Sequence, residues 1–359
     1  MVAADRVLAI VGATGVVGQT MLSILPTRPD MWREVRLLAS GHSQGTSLRG
    51  AGAELPVREL TADAFDGVDV CILAVPADVA RTWAPIIAAR GAVVIDNSGA
   101  HTANPFVPLV VPEINPAAAR GEGGRIIASP SGTTLLMINA LATLHEHWHL
   151  REVVASTYQA VSDAGVRGVH RLYDEMAELA GNRKVGQTPG DVRRFLSDLG
   201  EASPFPAPVA FNVIPWVGGP GDGRWSGAEL RAREEVRAIL GLPDLRMTTT
   251  CVQVPVTTTH SATLHMTFER RMSRDDAVRA LTEGMNSIVV LDDPMRAEWP
   301  TPVDVVGADP VFVGRIRQPA DFPRSLELFV CADNLRKGSA LNMIQVAELA
   351  CGSLGSGSA

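Results

Sequence analysis

The chain is poor in cysteine, in aromatic residues and in positive charge. Its four cysteines, Cys71, Cys251, Cys331 and Cys351, are far apart and show no Cys-x-x-Cys spacing. Zinc clusters and disulfide frameworks do not fit that pattern, and a reducing cytoplasm does. Aromatic residues make up only 5%, and Trp148, Trp216, Trp225 and Trp299 are scattered as packing residues. Lysine and arginine number 32 against 39 acidic residues, a net charge of −7. That balance gives no electrostatic basis for binding nucleic acid or an anionic membrane. No apolar run reaches the ~18 residues a membrane helix needs. Met1 to Arg6 leads straight into a strand-like run without a signal-peptide pattern, so the expected location is the cytoplasm. No repeat of fixed period is present. Apolar residues, by contrast, are plentiful at 46% of 359 residues, enough to bury the cores of two domains.

Arg6 to Val11 is a short apolar run that reads as a buried strand, and Gln19 to Leu25 reads as helical. Further strand-like runs are Val35–Ala39, Val70–Val75, Ala92–Asp96, Leu109–Val111 and Arg125–Ala128. Strands alternating with helices predict a mostly parallel sheet covered on both faces. After Ser131 the texture changes. Ser131 to Leu150 reads as a helix, and Glu152–Val161, Val209–Val213, Met247–Arg270 and Ser325–Ala332 read as β-rich. Such runs without short crossovers predict an antiparallel or mixed sheet. Gly218 to Gly227 reads as an exposed loop and Arg336 to Cys351 as a last helix.

Gly12, Gly15 and Gly18 lie between the first strand and the first helix. Small residues there let a backbone approach a pyrophosphate, whose charge then meets free helix N–H groups. Gly12, Thr14, Gly15, Val16, Val17 and Gly18 are therefore the expected cofactor loop. The second strand ends in Leu38-Ala39-Ser40-Gly41-His42-Ser43, without the acidic residue that usually takes the ribose 2′-hydroxyl of NAD. Ser40, His42 and Ser43 suit a 2′-phosphate instead, so NADP is the expected cofactor, with NAD possible. A protonated His42 pairs with a phosphate better than a neutral one, so that preference is expected to weaken from about pH 6 to about pH 8.

Several blocks together resemble the aspartate-semialdehyde dehydrogenase family. They are Gly12–Gly18, Leu38-Ala39-Ser40, Val94-Ile95-Asp96-Asn97-Ser98, Val110-Val111-Pro112-Glu113-Ile114-Asn115, Ser156–Ser162, Phe211-Asn212-Val213-Ile214-Pro215 and Asp333-Asn334-Leu335-Arg336-Lys337-Gly338. They keep the family's order over nearly the whole chain. The resemblance implies an α/β fold with a Rossmann-type dinucleotide-binding domain at 1–130. A catalytic and dimerisation domain of α+β type with a mixed sheet would follow at 131–335. A C-terminal helix at 336–352 would return to the first domain, and 353–359 would form a flexible tail. It also implies a homodimer, and cofactor contacts at Pro76 and Asn334.

The resemblance breaks at the site. The family's motif Asn-Pro-x-Cys-(Ser/Thr)-Thr, whose thiolate attacks an acyl phosphate, reads Ser129-Pro130-Ser131-Gly132-Thr133-Thr134 here. Gly132 stands where the nucleophile is expected, and a ligand oxygen is expected to dock at the empty helix end instead. The family's proton-carrying histidine matches His260, and its orienting glutamine matches Gln159. The substrate arginine is replaced by Gln253 and the phosphate arginine by Thr102, close to Asn97. The family's Glu-x-x-Lys pair matches Ala228 and Arg231, so only its positive member remains, and Asp163 stands where the family has glycine. Cys251, two residues before Gln253, shares its sheet face and reads as a packing residue or as a replacement nucleophile. His145, His147 and His149 read as solvated or capping histidines rather than a metal site.

The expected substrate binders are thus Gly132, Gln253, Arg231, Asp163, Thr102 and Asn97, with His260 and Gln159 catalytic, no metal, and a small-molecule substrate. Direct hydride transfer to a carbonyl or C=N bond suits this set, since it needs no thiol. A catalytically silent nucleotide-binding protein, or a non-redox acid/base enzyme catalysing condensation or elimination, are the alternatives.

Overall fold

Unbroken apolar runs make buried parallel strands, whereas alternating runs make sheets with one open face. Both kinds occur in the computed structural model of the chain. It describes residues 5–28, 31–50, 52–120, 124–200 and 202–354, apart from the side chains of His42, Ser353 and Leu354. The expected tail beyond Leu354 and the side chain of His42 therefore lie outside the described residues.

In chain order the elements are β1 (Val7–Val11), α1 (Val16–Ile24), β2 (Glu34–Ala39), β3 (Ser47–Gly50), β4 (Ala53–Glu59), β5 (Val70–Leu73), α2 (Ala77–Ala89), β6 (Val93–Asp96) and β7 (Ile126–Ala128). There follow α3 (Gly132–Trp148), β8 (Leu150–Gln159), α4 (Gly165–Leu179), α5 (Asp191–Phe195), α6 (Gly227–Leu240), β9 (Arg246–Gln253) and β10 (His260–Phe268). The last are α7 (Arg274–Gly284), β11 (Ile288–Val290), α8 (Pro302–Val305), β12 (Val311–Arg317), β13 (Ser325–Ala332) and α9 (Leu341–Leu354).

One compact unit comprises the described parts of Met1–Leu135, Glu235–Pro243 and Leu335–Ala359. Its sheet has the order β3-β4-β2-β1-β5-β6-β7. All neighbours are parallel except β3 and β4. Leu8 and Ile10 pack with Met21 and Leu22 of α1 and with Met343 and Ile344 of α9. Val7, Ala9 and Val11 pack with Phe65 and with Ala80, Ala84 and Ile87 of α2. The alternation along β1 thus feeds two cores, one on each face. Before α9, a π-helical turn over Arg336–Ala340 buries Lys337. Its ammonium is matched by Glu113 Oε1 at 2.7 Å and Gln345 Oε1 at 3.2 Å, as a buried cation requires.

The other unit comprises Leu136–Glu234 and Asp244–Asn334. Its sheet, β11-β12-β13-β10-β8-β9, is mixed: β8–β9 and β11–β12 are parallel, and β10 runs antiparallel to both β8 and β13. Burial alternates along β9, and on β8 Val154 and Tyr158 are exposed. The ring of Tyr158 stacks on Phe329, centroids 6.5 Å apart.

Three local expectations are corrected. Met247–Arg270 is two strands, because Pro255 and the turn around it interrupt pairing. Leu109–Val111 makes one bridge, Leu109 to Ala128, and no strand. Val209–Val213 is not a strand: prolines 206, 208 and 215 surround it. The N–H groups of Val209 and Ala210 donate to the buried carboxylate of Glu175 on α4, at 2.7 and 2.9 Å. Glu175 is also paired with Arg171 at 2.7 Å. Glu175→Ala leaves these donors unmatched and is expected to cost about 3 kcal/mol. Denaturant unfolding measures the loss, and limited proteolysis should then cut near residue 210.

Candidate functional site

The first unit carries the glycine turn. Gly12 has φ +84°, and a Cβ on it would lie 2.2 Å from the Ala74 carbonyl oxygen. A Cβ on Gly18 would lie 2.5 Å from the Gly12 carbonyl oxygen. Only glycine fits either place. The Thr14 carbonyl accepts from Gln19 Nε2 at 2.9 Å. Helix α1 follows Gly15 with no side-chain cap and no acidic residue in its first turn. The end bearing Val16, Val17 and Gly18 therefore suits a pyrophosphate. Pro76 stands just before α2. At the end of β2, Ser43 N–H closes a turn on the Ser40 carbonyl at 2.9 Å.

Local reading missed Glu59. It ends β4, pairs in register with Ala39 of β2, and its Oε1 would lie 3.2 Å from a Cβ on Gly41. A carboxylate here favours a ribose hydroxyl and opposes a 2′-phosphate. Only the β2–β4 pairing reveals it.

The start of α3 is less open than expected. Glu235 Oε2 accepts from the Ser131 N–H at 2.9 Å, the Ser131 hydroxyl at 2.7 Å and the Thr134 hydroxyl at 2.6 Å. A carboxylate thus already faces the positive helix end beside Gly132 and would oppose a further anion there. Nearby in sequence, the Asn97 amide donates to Ser339 Oγ at 2.7 Å, and the Thr102 hydroxyl donates to the Gly99 carbonyl at 3.1 Å.

The second unit gathers the other expected residues. Parallel pairing sets Gln159 opposite Gln253 and Thr157 opposite Cys251. Both glutamines are buried. Gln253 Nε2 donates to the Gln159 carbonyl at 2.6 Å, and Gln159 Nε2 to Thr157 Oγ1 at 3.1 Å. His260 is 1% exposed. Its Nδ1 accepts from the Ala160 N–H at 3.1 Å, which assigns the neutral ring's proton to Nε2. That Nε2 has no hydrogen-bond partner, and Asp163 Oδ1 stands 3.7 Å away. Asp163 is 47% exposed. Desolvation pushes its carboxyl up, but the facing His260 and the charge of Arg231 outweigh that and hold it below the usual range.

Asn334, expected at the cofactor, also braces this cluster. Its Nδ2 donates to Ser162 Oγ at 2.9 Å and its Oδ1 accepts from the Thr259 N–H at 2.8 Å. Thr259, next to His260, has φ +85°, a strained conformation for a β-branched residue. Arg231 lies on α6, whose start carries a capping box: Ser226 N–H to Glu229 at 2.8 Å and Glu229 N–H to Ser226 Oγ at 3.4 Å. The other Glu229 oxygen accepts from the Cys251 N–H at 3.0 Å.

Burial pushes the Cys251 thiol up to about 12, and those of Cys331 and Cys351 up to about 11. Cys71, fully buried, is pushed up as well. Cys251 is 0% exposed, and its burial favours the packing reading over that of a replacement nucleophile. His145 Nδ1 accepts from the Leu150 N–H at 3.1 Å. Among the described residues no group of three or more metal-ligating side chains occurs, and no helix is long and apolar enough to cross a membrane.

Residues 7–121 match the family model "Semialdehyde dehydrogenase, NAD binding domain", and residues 141–337 match "Semialdehyde dehydrogenase, dimerisation domain". The chain is 39% identical to an aspartate-semialdehyde dehydrogenase of Corynebacterium glutamicum, covering 95% of this chain and 98% of that one. It is 36% identical to one from Synechocystis, covering 95% and 96%. The crystal structure of aspartate semialdehyde dehydrogenase II from Vibrio cholerae, complexed with ASA, superposes with a TM-score of 0.88 at 32% identity, over 96% of this chain and 98% of that chain.

Thr259→Gly is expected to stabilise the chain by about 1 kcal/mol, because glycine adopts this φ freely; thermal unfolding measures it. Glu59→Gln should raise the ratio of NADP to NAD affinity about fivefold by removing a charge beside the ribose. Titration with both cofactors checks this, and an unchanged ratio would show that Glu59 does not reach the ribose.

Proposed function

The chain belongs to the semialdehyde dehydrogenase family, and on that premise we propose that it is an NADP-dependent oxidoreductase working by direct hydride transfer to a carbonyl or C=N carbon. One observation carries the reading: Gly132, a residue with no side chain, opens α3 where the resemblance puts the thiol, and burial pushes the pKa of all four thiols up. No side chain offers the thiolate that a thioester mechanism requires. We read the chain as a family member without the catalytic cysteine. The arginine positions of the resemblance hold Thr102 and Gln253, so a doubly charged acyl phosphate lacks its partners.

The glycine turn and the start of α1 fit a dinucleotide, which when bound supplies or accepts the hydride. NADP is the expected form, and NAD is accepted because Glu59 tempers the preference. His260 gives its Nε2 proton to the oxygen or nitrogen that forms as the carbon is reduced, and takes it back in the reverse direction. Asp163, kept ionised, stabilises the charged ring. Arg231 leaves room for one carboxylate on the substrate. The working form is a homodimer through the open face of the second sheet, where Val154, Tyr158 and Phe329 offer an apolar area. A cytoplasmic setting suits four unpaired thiols.

A second reading is the activity named for the relatives, favoured by 36–39% identity over 95% of the chain. The two readings separate in one assay. Pure protein with aspartate semialdehyde, phosphate and NADP⁺ should give no absorbance of reduced cofactor, while NADPH alone should bind; robust turnover would establish the second reading. With a carbonyl substrate found by screening NADPH oxidation, His260→Ala should lower the rate at least about 100-fold and leave NADPH affinity within about twofold. Light scattering should give twice the monomer mass, and Tyr158→Asp should give monomer.

A further inference from the structure

Asp96 and His101 form a second carboxylate–imidazole pair, at the carboxyl end of β6. Asp96 is fully buried. Its Oδ1 accepts from the Ser98 N–H at 2.9 Å, and its Oδ2 meets His101 Nδ1 at 2.9 Å. A carboxylate only accepts, so Nδ1 carries the ring proton and Nε2 of the neutral ring is an acceptor. The His101 side chain is 11% exposed, and among the described residues no protein group takes its Nε2. The loop holding it is closed by Ala100 N–H on Ser98 Oγ at 3.1 Å and by Asn104 N–H on the His101 carbonyl at 3.0 Å. The imidazole is therefore oriented, with one nitrogen committed and the other available.

Its place on the sheet says what it meets. Strand register aligns Val11 with Leu73 and Leu73 with Asp96. The ends of β1, β5 and β6 thus lie side by side on the edge where open parallel sheets bind ligands. The order β2-β1-β5-β6 fixes the direction. The 2′-ribose position belongs to the end of β2, and the pyrophosphate to the glycine turn after β1. The rest of a dinucleotide then runs toward β5 and β6, about two strand spacings or ~10 Å from β1.

We propose that His101, positioned by Asp96, is a cofactor-binding residue: its Nε2 accepts a hydrogen bond from the nicotinamide half of the dinucleotide, from a ribose hydroxyl or the carboxamide N–H. This rests on the reading that the first unit binds NADP(H). The test compares two probes: NADPH, and adenosine 2′,5′-bisphosphate, which lacks the nicotinamide half. His101→Phe should weaken NADPH about five- to tenfold, the worth of one hydrogen bond, and leave the bisphosphate within about twofold. His101→Gln, whose amide oxygen accepts, should recover most of the loss. Unchanged NADPH affinity overturns the inference, and so does equal weakening of both probes, which marks a structural role. If the native protein binds neither probe, the cofactor reading itself fails, a result distinct from the other two.

Discussion

A single carboxylate organises the start of α3. Glu235 takes a backbone N–H and two hydroxyls from one helical turn, so the end that most favours an anion already faces one. A buried carboxylate with three donors is well satisfied, whereas a second anion at the same end would meet its repulsion. Gly132 adds no side chain to contest that arrangement.

In the second unit the decisive constraint is register. Parallel pairing of β8 with β9 sets two glutamines side by side, and each spends its amide on the other strand or its own. Those bonds stiffen the strand ends. The polar groups left around them are His260 and Asp163, one sealed and one half in water. The backbone before His260 accepts an unfavourable dihedral to hold the ring there, and Asn334 ties that backbone to Ser162. Strain of this kind beside a buried imidazole costs on the order of 1–3 kcal/mol and persists only because the surrounding contacts hold it.

Much of this was legible in the residues alone. The glycines at 12, 15 and 18 announce their turn because their spacing is local, and the apolar run of β1 announces a strand covered on both faces. His260 was found through a motif. What escaped was set by contacts distant in sequence. Glu59 stands 19 residues beyond Ser40 and reaches the turn after β2 only because β4 pairs with β2. Glu235 lies a hundred residues from the helix it caps. The run Val209–Val213 has strand composition, yet its N–H groups go to Glu175, and no periodicity signals a side-chain acceptor. Gln253 and Asn334 were placed by motif position, but motif position does not say which way an amide turns.

The four thiols, three buried and one half-buried, have a consequence of another kind. Oxidants and electrophiles attack the thiolate, and here that form is suppressed at every cysteine. An enzyme built on a reactive thiol stops when peroxide or an alkylating metabolite reaches it. The hydride-transfer mechanism proposed above has no such fuse, and on that mechanism activity is uncoupled from the redox state of the surroundings.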